Sequence, residues 1–482
     1  MIESETDLNS KPNDTSDASI PMISGIATWP WYLRYFRDPL NFFEKATQQY
    51  GPVLALGSPL PFSKRGRKFV VATGGYYNKI IFGKPDDFRS GGQTLRGPKG
   101  SAQRRIRKGI FAMNGEQHRT HRRMMQPPLL KQAVASYGPR MLTLVDDIVD
   151  HWKNGEQVDV YREMRRLSNW AAAHLLFGSE DFNASIVLGE AIEHWLQLDA
   201  DVRSRLAFIN LPGTRYRQLL KQAEVVESLM IEAIDRNRNA EIPGTDMLSL
   251  LIRASDENRN VMTQENLVAH AVILYAASFE TTANALTWTL FLIAQHPETA
   301  KALYEEVSDV LGDEPPDSDS IDKMPQLDAT IKESMRLLPP VAFTFRTPYR
   351  EQTVNGLFLH GKDKVVPCHY LTHRDPNIFP EPNRFNPDRW QTIRPSHYEY
   401  VPFSAGPRLC LGISFAQLEM KITIARIMQR FRLAVVPNSQ IDGIIQLTLR
   451  PKSGIPMTVH FQDQAFSAAR ITGNITRMVD LG

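Results

Sequence analysis

Apolar positions recur at helical spacing over most of this chain, and the longest such run covers residues 263–295. Thr263 stands where a cap belongs, Glu265 falls in the first turn, and His296-Pro297 ends the run. About 33 residues at 1.5 Å each predict a helix of ~50 Å, long enough to cross a whole protein. A second strong helix follows Gly412, with Ile413, Ala416, Met420, Ile424, Ile427, Met428 and Phe431 at helical spacing. Near the start, Asp38-Pro39 opens a helix carrying Phe42, Phe43 and Ala46, closed at Tyr50-Gly51-Pro52. Residues 132–253 are mostly helical in pattern, broken at Gly138-Pro139, Asn154-Gly155 and Pro212-Gly213. Short β-leaning runs at 53–56 and 69–72, with alternating stretches at 354–366 and 446–461, read as strands and hairpins. The pattern is mainly α with a small β-rich part.

Residues 1–20, rich in Ser, Thr, Asp and Asn, read as a disordered leader; 21–462 read as one domain and 463–482 as a tail. Segment 89–110 is Gly-rich and carries Arg96, Lys99, Arg104, Arg105, Arg107 and Lys108, which by pattern alone is a solvated, mobile loop.

Composition narrows the classes. Hydrophobic content of 42% with 23% charge describes a globular protein with a large core. A net charge of +3 gives no ground for nucleic-acid binding. No run approaches the ~18 apolar residues of a membrane span, and the N-terminus lacks the regions of a signal peptide. The two cysteines, Cys368 and Cys410, make no disulfide framework and fit a reducing, cytoplasmic compartment.

Three spots carry candidate chemistry. Phe403-Ser404-Ala405-Gly406-Pro407-Arg408-Leu409-Cys410-Leu411-Gly412 presents a thiol just ahead of a helix, where the macrodipole and free N–H groups favour a thiolate. Gly406 and Gly412 permit turns and close approaches there. On its own this loop establishes only a well-presented cysteine, and a buried structural thiol fits it too. Midway along the long helix, Glu280 and Thr281 set an acid beside a hydroxyl in apolar surroundings, so the charge must be paired or wet. A back-bonding threonine and a surface acid also fit that pair. Finally, Glu333 and Arg336 are three apart on a helix stopped by Pro339-Pro340.

These residues together resemble the cytochrome P-450 superfamily. The pattern Phe403-x-x-Gly406-x-Arg408-x-Cys410-x-Gly412, continued by Ala416 and Glu419, resembles its haem-ligand loop and implies Cys410 as the thiolate on the iron of haem b. Residues 276–282 resemble its oxygen-activating stretch, with Ser278 in place of the usual glycine. Glu280 and Thr281 are thereby implied to deliver protons to dioxygen. Glu333-x-x-Arg336 and Phe385-x-Pro387-x-Arg389-Trp390 match the segments of a structural Glu333–Arg336–Arg389 network that fixes the cysteine loop. His118, Arg122, Arg346 and Arg408 occupy positions implied to hold the haem propionates. Leu274, Ala277, the Val341-Ala342-Phe343 strand and the 89–113 segment are implied to line the substrate pocket.

The resemblance spans roughly residues 35–460. It implies a large helical lobe and a small β-rich lobe, with haem between the long helix and the cysteine loop. It further implies a monooxygenase that inserts one oxygen atom of dioxygen into a C–H or C=C bond of a largely apolar small molecule. Electrons from NAD(P)H would come through a separate ferredoxin or flavodoxin with its reductase, as in soluble bacterial members, and the enzyme is expected as a monomer. The surface near Arg119, Arg123 and Lys131 is the expected docking face. A peroxide-using or isomerising haem-thiolate enzyme, or a non-catalytic haem sensor or carrier, would share the cysteine loop.

Overall fold

The computed structural model describes residues 20–481 apart from 59–66, 92–93, 207, 242–243, 258–260 and 355–356. All of the expected leader except Ile20 lies outside the described residues.

The long helix runs Gln264–Gln295, capped by Thr263, whose side chain accepts from the Asn266 N–H. Of its 32 residues 24 are buried, so it is enclosed on every side rather than amphipathic. The helices Val160–Ala171, Arg215–Arg238, Pro325–Leu337 and Ile413–Arg430 pack around it. Apolar burial against this central rod is the main source of the helical lobe's stability.

The β-rich part is split into small sheets. Met22–Ile23, Val53–Leu56, Phe69–Ala72 and Lys364–Pro367 form one, with Val53 opposite Ala72 and Val70 opposite Val365. Phe431–Val435, Pro456–Phe461 and Gln157–Asp159 form another. The run 446–461 is therefore not one hairpin. Leu449–Pro451 pairs with Gly443–Ile445, while Pro456–Phe461 joins the second sheet. The break is Gly454, at φ 85, where a Cβ would meet the Asp159 carboxylate at 2.3 Å.

Segment 89–110 is also corrected. Of its cations, Arg105, Lys108 and Arg107 have specific partners, Arg105 pairing with Glu227, Lys108 with Glu265, and Arg107 donating to the carbonyls of Thr94 and Gly91, while Arg96 and Lys99 are exposed as expected. Residues 102–106 form a helical turn, Gln103 is fully buried, and its amide oxygen accepts from Trp195 Nε1. Past Phe461 the chain returns to the protein, with Ile475 and Val479 buried and Asp480 bridging to Arg384.

Candidate active site

The cysteine loop is shaped by its own backbone. Gly406 has φ 64, and a Cβ there would meet the Phe82 carbonyl at 2.4 Å, so only glycine fits. The Cys410 N–H donates to the Phe403 carbonyl (2.9 Å), closing the loop, and the Phe403 ring packs against the core. Gly412 differs from expectation: it precedes the Ile413–Arg430 helix at φ −89, with nothing among the described residues within 4 Å of a Cβ. Cys410 has accessible surface, yet burial raises its thiol above the ordinary value, with the Gly412 N–H and Arg122 opposing. A sulfur both accessible and desolvated faces an enclosed space rather than bulk water.

Around that loop gather four side chains. His118 and Arg122 lie one turn apart on the Gly115–Met125 helix, Arg346 follows Phe345, and Arg408 is in the loop itself. Arg122 Nη2 donates to the Leu409 carbonyl (2.7 Å); Arg408 donates to the carbonyls of Ile110 and Met113 and to Asn114 Oδ1 (2.9 Å). Arg346 donates to the Phe345 carbonyl (3.0 Å) and lies over the Phe82 ring. Among the described residues none of the four has a carboxylate partner. Burial, reinforced by Arg408, pushes Arg346 down to about 10. Burial likewise lowers Arg408 to about 10. His118 falls to about 4 through burial and then through Arg408, Arg122, Arg119 and Arg346, so its ring is neutral at pH 7.

At the middle of the long helix, Ala277, Ser278, Glu280 and Thr281 regain accessible surface while their neighbours are buried. Ala277 and Thr281 are one turn apart and share a face, so the helix borders a void there. The helix is uninterrupted: Thr281 Oγ1 donates to the Ala277 carbonyl (2.8 Å), Thr282 Oγ1 to Ser278 (3.1 Å), and Ser278 Oγ to Tyr275 (2.8 Å). Glu280 is neither a surface acid nor paired with Thr281. Its Oε1 accepts from Thr448 Oγ1 (2.7 Å), and burial raises its carboxyl, the Thr448 hydrogen bond opposing.

Leu274 is buried on the same helix. Residues 341–343 do not form the expected strand: Phe343 makes only an isolated bridge to Cys368, and Ala342 is 2% exposed between half-buried Val341 and Phe343. The Phe343 ring packs on Phe43 and Tyr35.

Glu333, Arg336 and Arg389 come together. Glu333 Oε1 accepts from Arg336 Nη2 and Arg389 Nε, both at 2.8 Å, and Oε2 accepts from Arg336 Nε and Trp390 Nε1. The remaining guanidinium N–H groups donate to the carbonyls of His373, Pro380, Pro382, Glu381 and Arg384.

Two groupings escaped the sequence reading. His121 and His270, buried and 149 residues apart, bond ring to ring (2.9 Å). Ile110 N–H donates to His270 Nδ1, so His270 Nε2 carries the proton donated to His121 Nδ1. The second is Thr448 with Asn284, 164 residues apart. No local pattern signals contacts at such separation.

Buried and half-buried cations without protein anions, set beside an accessible thiol, fit a flat dianion carrying a thiolate-binding metal, and haem is such a group. Comparison with known proteins agrees. Residues 22–458 match the Cytochrome P450 family. The chain is 27% identical to cytochrome P450 120 of Synechocystis over 95% of this chain and 99% of that one. It is 29% identical to cytokinin hydroxylase of Arabidopsis thaliana over 73% and 72% of the two chains. The solved structure of retinoic acid bound cyanobacterial CYP120A1 superposes with a TM-score of 0.78 at 25% identity, covering 92% of this chain and 100% of that one. The helical rod, the small sheets and the cysteine loop are those of one group of enzymes, and this chain belongs to it: the cytochrome P450 family of haem-thiolate monooxygenases.

Proposed function

We propose that the protein inserts one oxygen atom of dioxygen into a C–H or C=C bond of a largely apolar small molecule, within one catalytic domain spanning residues 21–462. NAD(P)H electrons reach it through a separate ferredoxin or flavodoxin and its reductase. The observation that carries this reading is the accessible but desolvated Cys410 thiol beside cations that lack protein anions.

Haem, when bound, supplies the redox chemistry of dioxygen. Cys410 holds the iron as a thiolate; the Gly412 N–H and the Arg122 charge favour loss of its proton against the effect of burial. Arg346, Arg408 and Arg122, with neutral His118 as a hydrogen-bond donor, hold the two propionates. Gly406 sets the loop's path against the Phe82 carbonyl, Phe403 closes the loop by accepting from the Cys410 N–H, and Gly412 leaves open space where a side chain would stand. Thr281 and Glu280 serve as hydroxyl and acid for proton delivery, both where the long helix regains accessible surface. Leu274, Ala277, Val341, Ala342 and Phe343 form apolar walls that exclude water and favour an apolar substrate.

The test is optical. The reduced, carbon-monoxide-bound protein should show the thiolate-specific band, and Cys410→Ala should lose it. A parent protein without that band would overturn the ligand assignment. A spin-state shift on adding library compounds then identifies the substrate class.

A further inference from the structure

Glu280, Asn284 and Trp288 lie four residues apart in succession on one face of the long helix, and all three reach the short hairpin of Gly443–Ile445 and Leu449–Pro451. Trp288 Nε1 donates to the Leu449 carbonyl (3.1 Å) and anchors the hairpin. Asn284 Nδ2 donates to Thr448 Oγ1 (3.0 Å), and Thr448 Oγ1 donates to Glu280 Oε1 (2.7 Å). With the Asn284 amide in this orientation, the direction of the chain follows. An amide nitrogen only donates, so the Thr448 hydroxyl spends its own proton on Glu280. Asn284 is fully buried, and among the described residues its Oδ1 has no partner.

That orphaned oxygen matters, because an amide turned by half a rotation would present it to Thr448. The hydroxyl would then donate to Asn284, and Glu280 would have to be the donor. We propose that Thr448 and Asn284 are positioning residues for Glu280, forming a three-member hydrogen-bond chain whose direction reverses when the acid takes up or gives up its proton. As a carboxylate, Glu280 accepts from Thr448. On taking one proton it becomes neutral and donates to Thr448, whose hydroxyl proton turns to Asn284 Oδ1; release of that proton restores the first arrangement. One buried amide atom is unpartnered in either direction, so neither form is locked. No electron moves. The charged or titratable groups facing Glu280 are Arg165 and Tyr161 from the Val160–Ala171 helix, Glu193 from Phe182–Ala200, and Arg450 from the hairpin. Arg165 and Glu193 form an ion pair with one another.

This inference rests on Glu280 being a proton donor, and the experiment separates the two. The infrared carboxyl band of Glu280 in the holoenzyme, identified as the band missing in Glu280→Gln, is followed against pH. Thr448→Val removes both the donor to the carboxylate and the acceptor for the neutral acid, and the charged form loses more because a hydrogen bond to a charged group is the stronger. The substitution should raise the acid's proton affinity about tenfold or more, moving the midpoint up by about one pH unit. Thr448→Ser should restore the midpoint. Asn284→Leu should move it in the same direction by less, since the hydroxyl survives but its direction is no longer fixed. An unchanged midpoint in folded Thr448→Val, or no restoration by serine, overturns the proposal. The pH profile of oxygen turnover by the electrode-reduced holoenzyme supplies the separation. If Glu280→Gln leaves that profile unmoved, the proton-donor reading fails; if Glu280→Gln moves it and Thr448→Val moves neither profile nor midpoint, the positioning chain alone fails.

Discussion

Two sets of arginines, one around Glu333 and one around the cysteine loop, differ in what answers their charge. Arg336 and Arg389 meet a carboxylate from the same chain, Glu333, and their remaining N–H groups meet five backbone carbonyls. Among the described residues Arg122, Arg346 and Arg408 meet only carbonyls, one amide oxygen and one ring. A charge held out of water without a counter-charge is destabilising, so a fold that sets buried Arg346 beside half-buried Arg408 and Arg122 is arranged for an anion from outside. Satisfied charge belongs to the scaffold; unanswered charge belongs to the site.

The largest expected effect breaks the first set. Glu333→Ala leaves two buried guanidinium groups without their anion and should destabilise the protein by about 3–5 kcal/mol, with or without haem. Urea unfolding of the apoprotein measures it. An apoprotein as stable as the parent would show that the network is not structural.

That set was legible in the sequence because its parts are short motifs: Glu333 and Arg336 share a helical turn, and Arg389 sits in an adjoining Pro-marked segment. The long helix was legible too, since Thr263 caps it and His296-Pro297 ends it, which are local signals. What was not legible was long-range. Glu280 reads as an acid that must be paired or wet, but nothing local names its partner Thr448, 168 residues on. The stretch 456–461 reads as half of a local hairpin, but its edge partner Gln157–Asp159 lies in a region of helical pattern. The basic run 89–110 looked solvated because Glu227 and Glu265, which answer two of its cations, lie far away in sequence.

A buried carboxyl without any cation sharpens the comparison. Glu419, fully buried on the Ile413–Arg430 helix, accepts from Ser168 Oγ, and burial raises it to about 8. Below pH ~4.5 both folded and unfolded forms hold the proton. Between there and about 8 the unfolded chain loses it first, so stability falls by about 1.4 kcal/mol per pH unit, roughly 5 kcal/mol in all. Glu419→Gln cannot ionise and should flatten that part of the stability–pH curve. An identical slope in the variant would mean that the acid is charged and answered inside the protein.

The site set should show a reversal of sign. Arg346→Met removes a repelling, buried cation from the apoprotein, which should gain about 1–2 kcal/mol. The same change should weaken haem retention, read as faster transfer of haem to apomyoglobin. His118 adds a pH signature. Its folded value of about 4 lies below the ordinary 6.5, so the apoprotein loses stability as pH falls through that window, because the unfolded ring binds the proton first. A bound dianion offsets the neighbouring cations, and the holoprotein should lose less. Apo and holo curves of equal slope, with Arg346→Met destabilising both, would erase the distinction between the two sets.

The smallest effect on stability comes from cations that are exposed. Arg119 pairs with Glu116 three residues away, and Lys131 with Asp322; both pairs stand in solvent, where salt and side-chain entropy cancel most of the attraction. Arg123 is exposed on the same helix as Arg119. Reversing Arg119 and Arg123 to Glu should leave the melting temperature unchanged. If this face receives an acidic ferredoxin, the reversal should slow reduction by the carrier several-fold at low ionic strength. The deficit should shrink as salt shortens the Debye length from ~10 Å at 0.1 M toward ~3 Å at 1 M. A rate and salt dependence equal to the parent's would move the docking face elsewhere. It would leave intact the rule that a charge's work is read from what answers it, since here water already does.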